Sequence, residues 1–282
     1  VTRLEGEPLA REIRTRAEEA IRALARPPRV VVLHNAQDSA NRSYRRQQAK
    51  TFPRYGVRYE LEEFDPAKGP EALAERLRAL SRDDSVTGIA VDQPLPAGFD
   101  ARAILASVDP CKDIEATHPA NLGALLYGGE GPRPAAAAAA VELARHARPS
   151  LRGLDAVVIG RSAMVGRPIA LMLLAMGRDA PTVTVCHTAS RDVAEHARRA
   201  DVLFVAAGRA GLVRGSWVRR GAVVVDVGIH AADGRICGDV AFEEVAEVAE
   251  ALTPVPGGVG PVAQAVLLEN VARCARMQEA RL

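Results

Sequence analysis

The sequence predicts an α/β protein of two domains, a parallel-sheet substrate domain and a Rossmann-type NAD(P)-binding domain. Three observations predict it. Short apolar strands alternate with amphipathic helices along the chain, which implies a parallel sheet with helices on its faces. The pattern breaks at Gly128 to Pro134 and restarts with sharper strands. A strand then runs into a glycine turn and a helix at Ala156 to Pro168.

Taken in order, Leu9 to Leu24 reads as an amphipathic helix and Arg29 to Leu33 as a short buried strand. Ser43 to Tyr55 reads as a helix that Gly56 ends. Val57 to Leu61 is a strand, Pro70 to Leu80 a helix and Gly88 to Val91 another strand. Asp92-Gln93-Pro94-Leu95-Pro96 then interrupts regular structure, because prolines cannot continue a ladder. Past the break, Ala156 to Ile159, Thr182 to Cys186, Val202 to Val205 and Ala222 to Val227 are β-branched and apolar, the signature of buried parallel strands. Helices are predicted over Val165 to Met176, Val193 to Arg199, Phe242 to Ala251 and Val262 to Arg276. The last would return to the first domain, so residues 1–136 and 262–282 are assigned to the substrate domain and 137–261 to the cofactor domain.

Composition narrows the function. The 282 residues are 48% hydrophobic and 26% charged, as in soluble globular chains, and aromatics are only 4%, so Val, Leu, Ile and Ala must build the core. A net charge of +2 gives no ground for a nucleic-acid partner. No apolar run approaches the roughly 20 residues of a membrane span, and no secretory leader is evident. The four cysteines have neither CxxC nor metal-ligand spacing, so no metal is expected, and reduced thiols suit a cytoplasmic location. Only three of the 37 basic residues are lysines (Lys50, Lys68 and Lys112), which leaves few candidates for a catalytic ammonium.

The cofactor site is read from Gly160-Arg161-Ser162-Ala-Met-Val165-Gly166-Arg167-Pro168. A turn opening on glycine before a helix start presents backbone N–H groups to a pyrophosphate. The spacing is not GxGxxG, so taken alone the stretch is equally readable as a structural turn. The next strand ends in Cys186-His187-Thr188 without the acid that binds the ribose hydroxyl of NAD. With Arg161 nearby this tilts the choice to NADP and leaves NAD open.

These residues resemble the cofactor motif of the methylenetetrahydrofolate dehydrogenase/cyclohydrolase (FolD) family. So do Ala200-Asp-Val-Leu-Phe-Val-Ala-Ala207-Gly208, Val225-Asp-Val-Gly228-Ile229, Gly238-Asp-Val240 and Thr253-Pro-Val-Pro256-Gly257-Gly258-Val-Gly-Pro261. The resemblance covers essentially the whole chain. It implies two domains flanking a cleft, a homodimer, and oxidation of 5,10-methylenetetrahydrofolate, with hydrolysis of the methenyl product in most members. It also implies that Gly160, Arg161, Ser162, Val165 and Gly166 meet the pyrophosphate and ribose, and His187 and Thr188 the adenosine end. Ala207, Gly208, Gly228 and Ile229 would line the cofactor. Tyr44, Gln48, Asp92 and Glu115 would form the catalytic cluster, with Pro256, Gly257 and Gly258 also facing substrate.

Departures concentrate in that cluster. The family's Tyr-x-x-x-Lys keeps Tyr44 but has Gln48 for the lysine. Lys50 is no substitute, since two residues rotate it roughly 200° around a helix. The family's glutamine before its Leu-Pro-Leu-Pro is Asp92, its Asp-Val-Asp-Gly is Asp113-Ile-Glu115-Ala116, and its Pro-Cys/Ser-Thr-Pro is Pro134-Ala-Ala-Ala137. Hydride loss needs positioning above all, whereas hydrolysis needs a positioned proton carrier, which a glutamine is not. Hydrolysis is therefore expected to be absent or severely reduced. Two other readings stay open: an oxidoreductase for a different amine- or imine-like C–N substrate, drawn by the charge of Asp92, and a silent nucleotide-binding relative.

Overall fold

Chain order sets the architecture of the computed structural model, which describes all residues except 36–41, 130, 233–234 and 282. It begins β1 (Thr2–Arg3), α1 (Gly6–Arg22), β2 (Arg29–His34), α2 (Arg42–Thr51), β3 (Arg58–Glu63), α3 (Gly69–Arg82) and β4 (Gly88–Val91). Three helices follow, α4 (Ala101–Leu105), α5 (Pro119–Leu126) and α6 (Ala135–Ala147). The second half runs β5 (Asp155–Ile159), α7 (Gly166–Leu174), β6 (Thr182–Cys186), α8 (Val193–Arg199), β7 (Val202–Val205) and β8 (Val223–Asp226). It closes with β9 (His230–Ala232), β10 (Arg235–Cys237), α9 (Phe242–Ala246), β11 (Ala251–Leu252) and α10 (Val259–Glu279).

One compact unit comprises Ile13–Ala124, Glu130–Arg133 and Leu267–Leu282. Its parallel sheet has the order β3-β2-β4. Val30 to Leu33 are buried on both faces in the central strand, which is why they read as a continuous apolar run. Leu73, Leu77 and Leu80 of α3 recur at helical spacing and close the core against Val31, Leu33 and Ile89. α2 stops at Thr51, short of the expected Tyr55. Pro53 has no N–H for an α-helical bond, so the chain tightens into a 3₁₀ turn at Phe52–Tyr55. Gly56 caps it at φ +78°, the left-handed conformation that favours glycine.

The other unit comprises Val1–Glu12, Leu125–Gly129 and Pro134–Val266. Its sheet is parallel throughout, in the order β1-β11-β8-β7-β5-β6. Two expectations are corrected here. The helix foreseen over Phe242 to Ala251 ends at Ala246, and Ala251–Leu252 is a strand instead. Its neighbours Glu250 and Thr253 donate their N–H groups to Ala222 and Val224, so pairing with β8 overrides the helical periodicity. The first residues, assigned from sequence to the substrate domain, belong to this sheet: β1 pairs with β11, and Leu4 is buried.

After β5 the chain lays β6 on one side of it and β7 on the other. The carboxyl ends of β5 and β7 are therefore a topological switch point, where open α/β sheets bind ligands. Among the described residues, no helix is long and apolar enough to cross a membrane.

Candidate functional site

Gly160 leaves β5 at the switch point. Its φ is +124°, and a Cβ there would lie 2.1 Å from the Ala206 carbonyl oxygen at the end of β7. Only glycine fits this approach. Gly166, the first residue of α7, is equally constrained: a Cβ would come 2.1 Å from the Gly160 carbonyl oxygen. Ser162 braces the turn, its Oγ accepting the Val165 N–H at 3.1 Å and its carbonyl the Arg167 N–H at 3.1 Å. The Gly160 N–H reaches the Cys186 carbonyl at 2.8 Å, which brings the end of β6 alongside. There His187 Nδ1 accepts the Ala189 N–H, while Arg161 and Thr188 are exposed.

Two buried carboxylates hold the neighbouring loops. Asp239 is fully buried and accepts the N–H groups of Ala207, Gly208 and Arg209 at 2.6, 3.0 and 2.8 Å. His230 Nε2 lies 2.7 Å from its Oδ1. Asp226 accepts from Gly228, Asp239 and Val240. Burial pushes its carboxyl up to about 6, against the pull of the Val240 and Asp239 N–H groups. A Cβ at Gly238 would lie 1.9 Å from Asp226 Oδ2, so Gly-Asp-Val is a packing requirement. Gly228 sits against the Asp239 carboxylate in the same way. Ile229 is 70% exposed, Pro256 is exposed, and Gly258 is buried with its N–H on the Pro254 carbonyl at 2.8 Å.

The three-stranded unit carries a second cluster. Gln48 faces inward from α2 and is fully buried. Its Oε1 accepts from the Tyr59 hydroxyl at 2.5 Å and from Arg45 at 3.0 Å. Its Nε2 is buried without a well-formed hydrogen bond. Arg45 Nε donates to Asp92 at 2.5 Å, and its terminal nitrogens reach Glu115 Oε1 at 3.2 and 3.3 Å. Burial raises the Glu115 carboxyl while Arg45 pulls it down. Burial, helped by the Glu115 charge, raises Tyr44 to about 12, so its hydroxyl stays protonated. Glu115 sits on a strained turn, since Ala116 has φ +56°, a left-handed conformation costing about 1–2 kcal/mol outside glycine.

Comparison with known proteins assigns both halves. The model for the tetrahydrofolate dehydrogenase/cyclohydrolase catalytic domain matches residues 4–115, and that for the NAD(P)-binding domain matches residues 134–279. The chain belongs to the tetrahydrofolate dehydrogenase/cyclohydrolase family. A bifunctional protein FolD from Thermus thermophilus is 43% identical over 273 residues, covering 97% of this chain and 94% of the relative. The crystal structure of the bifunctional FolD enzyme from Campylobacter jejuni superposes with a TM-score of 0.92 at 37% identity, covering 100% and 99% of the two chains. A Trypanosoma brucei FolD complexed with NADP cofactor and an inhibitor gives 0.90 at 31% identity, covering 100% and 99%.

Against this family the departures gain geometry. Gln48, Asp92 and Glu115 converge on one guanidinium, that of Arg45. The negative charge that Asp92 brings to this cluster is met by Arg45, with Asp92 4% exposed and ion-paired. Sequence reasoning missed Arg45 and Tyr59. Arg45 precedes Gln48 by three residues, a spacing that shares a helix face, so the signal was present. Tyr59 carried none: its place follows from the register of β3 beside β2. Lys50 and Lys68 are exposed, and Lys112 spends its ammonium on the Asp83 carbonyl at 2.8 Å. Ala137 is buried within α6.

Proposed function

We propose that this FolD-family chain is an NADP-dependent 5,10-methylenetetrahydrofolate dehydrogenase in which hydrolysis of the methenyl product is lost or severely reduced. Position 48 carries the reading. Where the resemblance implies an ammonium, this chain has a buried amide whose oxygen is committed to Arg45 and Tyr59. An amide exchanges no proton near neutrality, and a guanidinium does not release one.

The bare cradle of Gly160 and Gly166 fits a dinucleotide. Gly160, Arg161, Ser162, Val165 and Gly166 would hold pyrophosphate and ribose, with His187 and Thr188 toward the adenosine. Ala207, Gly208, Gly228 and Ile229 would line the remainder. When bound, NADP+ supplies the hydride acceptor. Exposed Arg161 and the lack of an acid at the end of β6, in Cys186-His187-Thr188, favour the 2′-phosphate, with NAD as a weaker alternative. Tyr44, Gln48, Asp92 and Glu115, together with Pro256, Gly257 and Gly258, would position the folate. Their task is orientation, because the adjacent nitrogen lone pairs stabilise the developing cation. We further assign the substrate role to residues 13–136 and 262–282, the cofactor role to 1–12 and 137–261, and to the whole a cytoplasmic homodimer without a nucleic-acid partner. Pairing of Asp92 with Arg45 removes the reason to prefer an amine or imine substrate.

The test is to follow NADPH formation from 5,10-methylenetetrahydrofolate and methenyl absorbance in one cuvette. Turnover with accumulating methenyl product is expected. Decay of that product faster than the uncatalysed rate would overturn the loss of hydrolysis. Tight dinucleotide binding without turnover would overturn the folate assignment.

A further inference from the structure

Arg45 is 6% exposed and hydrogen-bonds Asp92, Gln48 and Glu115, with the Tyr59 hydroxyl also against it. Its guanidinium carbon also lies 5.6 Å from the centre of the Tyr44 ring. The groups facing Glu115 are Tyr44 and Arg45 from α2, Tyr59 from β3, Asp92 after β4 and Asp113 from its own turn. Of these, Arg45 is the cation. Two carboxylates, with side chains 5% and 18% exposed, share this one guanidinium. Without it they would repel each other in a low-dielectric setting, and one would take up a proton.

We propose that Arg45 is a positioning residue that keeps Glu115 ionised and in one orientation for substrate, with Asp92 as the tether that fixes the guanidinium. The inference rests on the reading of Glu115 as a substrate contact. Nε is committed to Asp92, and the terminal nitrogens donate to Glu115 and Gln48. A guanidinium provides fixed charge and a planar fork but no exchangeable proton near neutrality. The site is thereby equipped for orientation and deprived of acid–base exchange.

The test is the pH dependence of kcat/KM for methylenetetrahydrofolate in wild type, Arg45→Met, Arg45→Lys and Asp92→Asn. Activity should fall on the acid side as Glu115 takes up a proton. Arg45→Met should move that limb to higher pH and raise the folate KM at least tenfold, with the KM for NADP+ unchanged. Asp92→Asn leaves the guanidinium to Glu115 alone and should move the limb to lower pH. Arg45→Lys, which keeps the charge and loses the fork, should hold the limb near wild type while KM stays elevated. A purely structural role would reduce activity without opposite shifts. An acid limb at one pH in Arg45→Met and Asp92→Asn overturns the proposal. If Arg45→Met fails to fold, Arg45→Lys and Asp92→Asn decide by the same criterion. If wild type does not oxidise the folate, the functional reading fails by itself. Carbon-13 NMR titration of Glu115 then tests the inference: a lower midpoint in Asp92→Asn supports it, and an unchanged midpoint overturns it.

Discussion

Asp226 is ionisable yet built into the backbone: three N–H groups converge on a carboxylate that is 3% exposed. Its midpoint of about 6 in the folded protein lies above the unfolded value of about 3.9, so folding favours the protonated form. The associated stability is present below about pH 3.9 and is lost as pH rises through about 6. Wild type should therefore lose about 1 kcal/mol relative to Asp226→Asn between pH 5 and pH 7.5. Urea unfolding of both proteins at the two pH values measures this, and a pH-independent difference would show that Asp226 does not titrate in this range. A second residue-scale expectation concerns Gly166, where a side chain would meet backbone rather than a movable group. Gly166→Val should weaken dinucleotide binding at least a hundredfold, and unchanged affinity would sink the cofactor assignment. Asp226 and Asp239 both stand in the motifs that carried the resemblance, but nothing in their spacing said that they accept backbone N–H groups. That role depends on the loops after β7, β8 and β10 meeting, which a linear pattern does not encode.

At the scale of elements, α10 fastens the turn that presents Glu115. Asn270 is fully buried, donates to the Ile114 and Arg133 carbonyls at 2.8 and 2.7 Å, and accepts the Arg133 N–H at 3.0 Å. Farther along, Gln278 donates to the carbonyls of Thr87, Cys111 and Cys274. Asn270→Ala would leave two carbonyls and one N–H without these partners, costing about 2–4 kcal/mol. It should also raise the folate KM, because Ile114 immediately precedes Glu115. Thermal unfolding and steady-state kinetics together check this: lost stability with an unchanged KM would mean that the turn holds its shape without the asparagine. The strands legible in the sequence were those with four or more consecutive β-branched or apolar residues, β2, β5, β7 and β8 above all. β1 and β11 were not legible, since two residues carry no periodicity and become a strand only through their partners. Ala251 and Leu252 also continued the apolar spacing of α9, and only the bonds to β8 distinguish the outcomes. The catalytic cluster was half legible: Tyr44 and Gln48 share a helix face by counting, whereas the convergence of Asp92 and Glu115 on Arg45 requires the sheet.

For the whole molecule, the switch point between β5 and β7 is where a ligand would act on the six-stranded unit. A ligand that binds only the folded state adds RT ln(1 + [L]/Kd), about 2.7 kcal/mol at a hundredfold excess over Kd. For a unit of this size that is roughly a 5–10 °C rise in midpoint, at ~2–4 °C per kcal/mol. The end of β6 has no acid to receive the ribose hydroxyl of NAD, whereas exposed Arg161 is available to a phosphate. NADP+ should therefore raise the midpoint more than NAD+ at equal concentration. Arg161→Ala should bring the two shifts together by lowering that of NADP+ alone, because NAD+ offers the guanidinium no 2′-phosphate. Equal shifts in wild type would reverse the cofactor preference while leaving the fold assignment intact. A larger NADP+ shift that survives Arg161→Ala would move phosphate recognition to other groups near the end of β6, with Arg191 the first arginine after that strand.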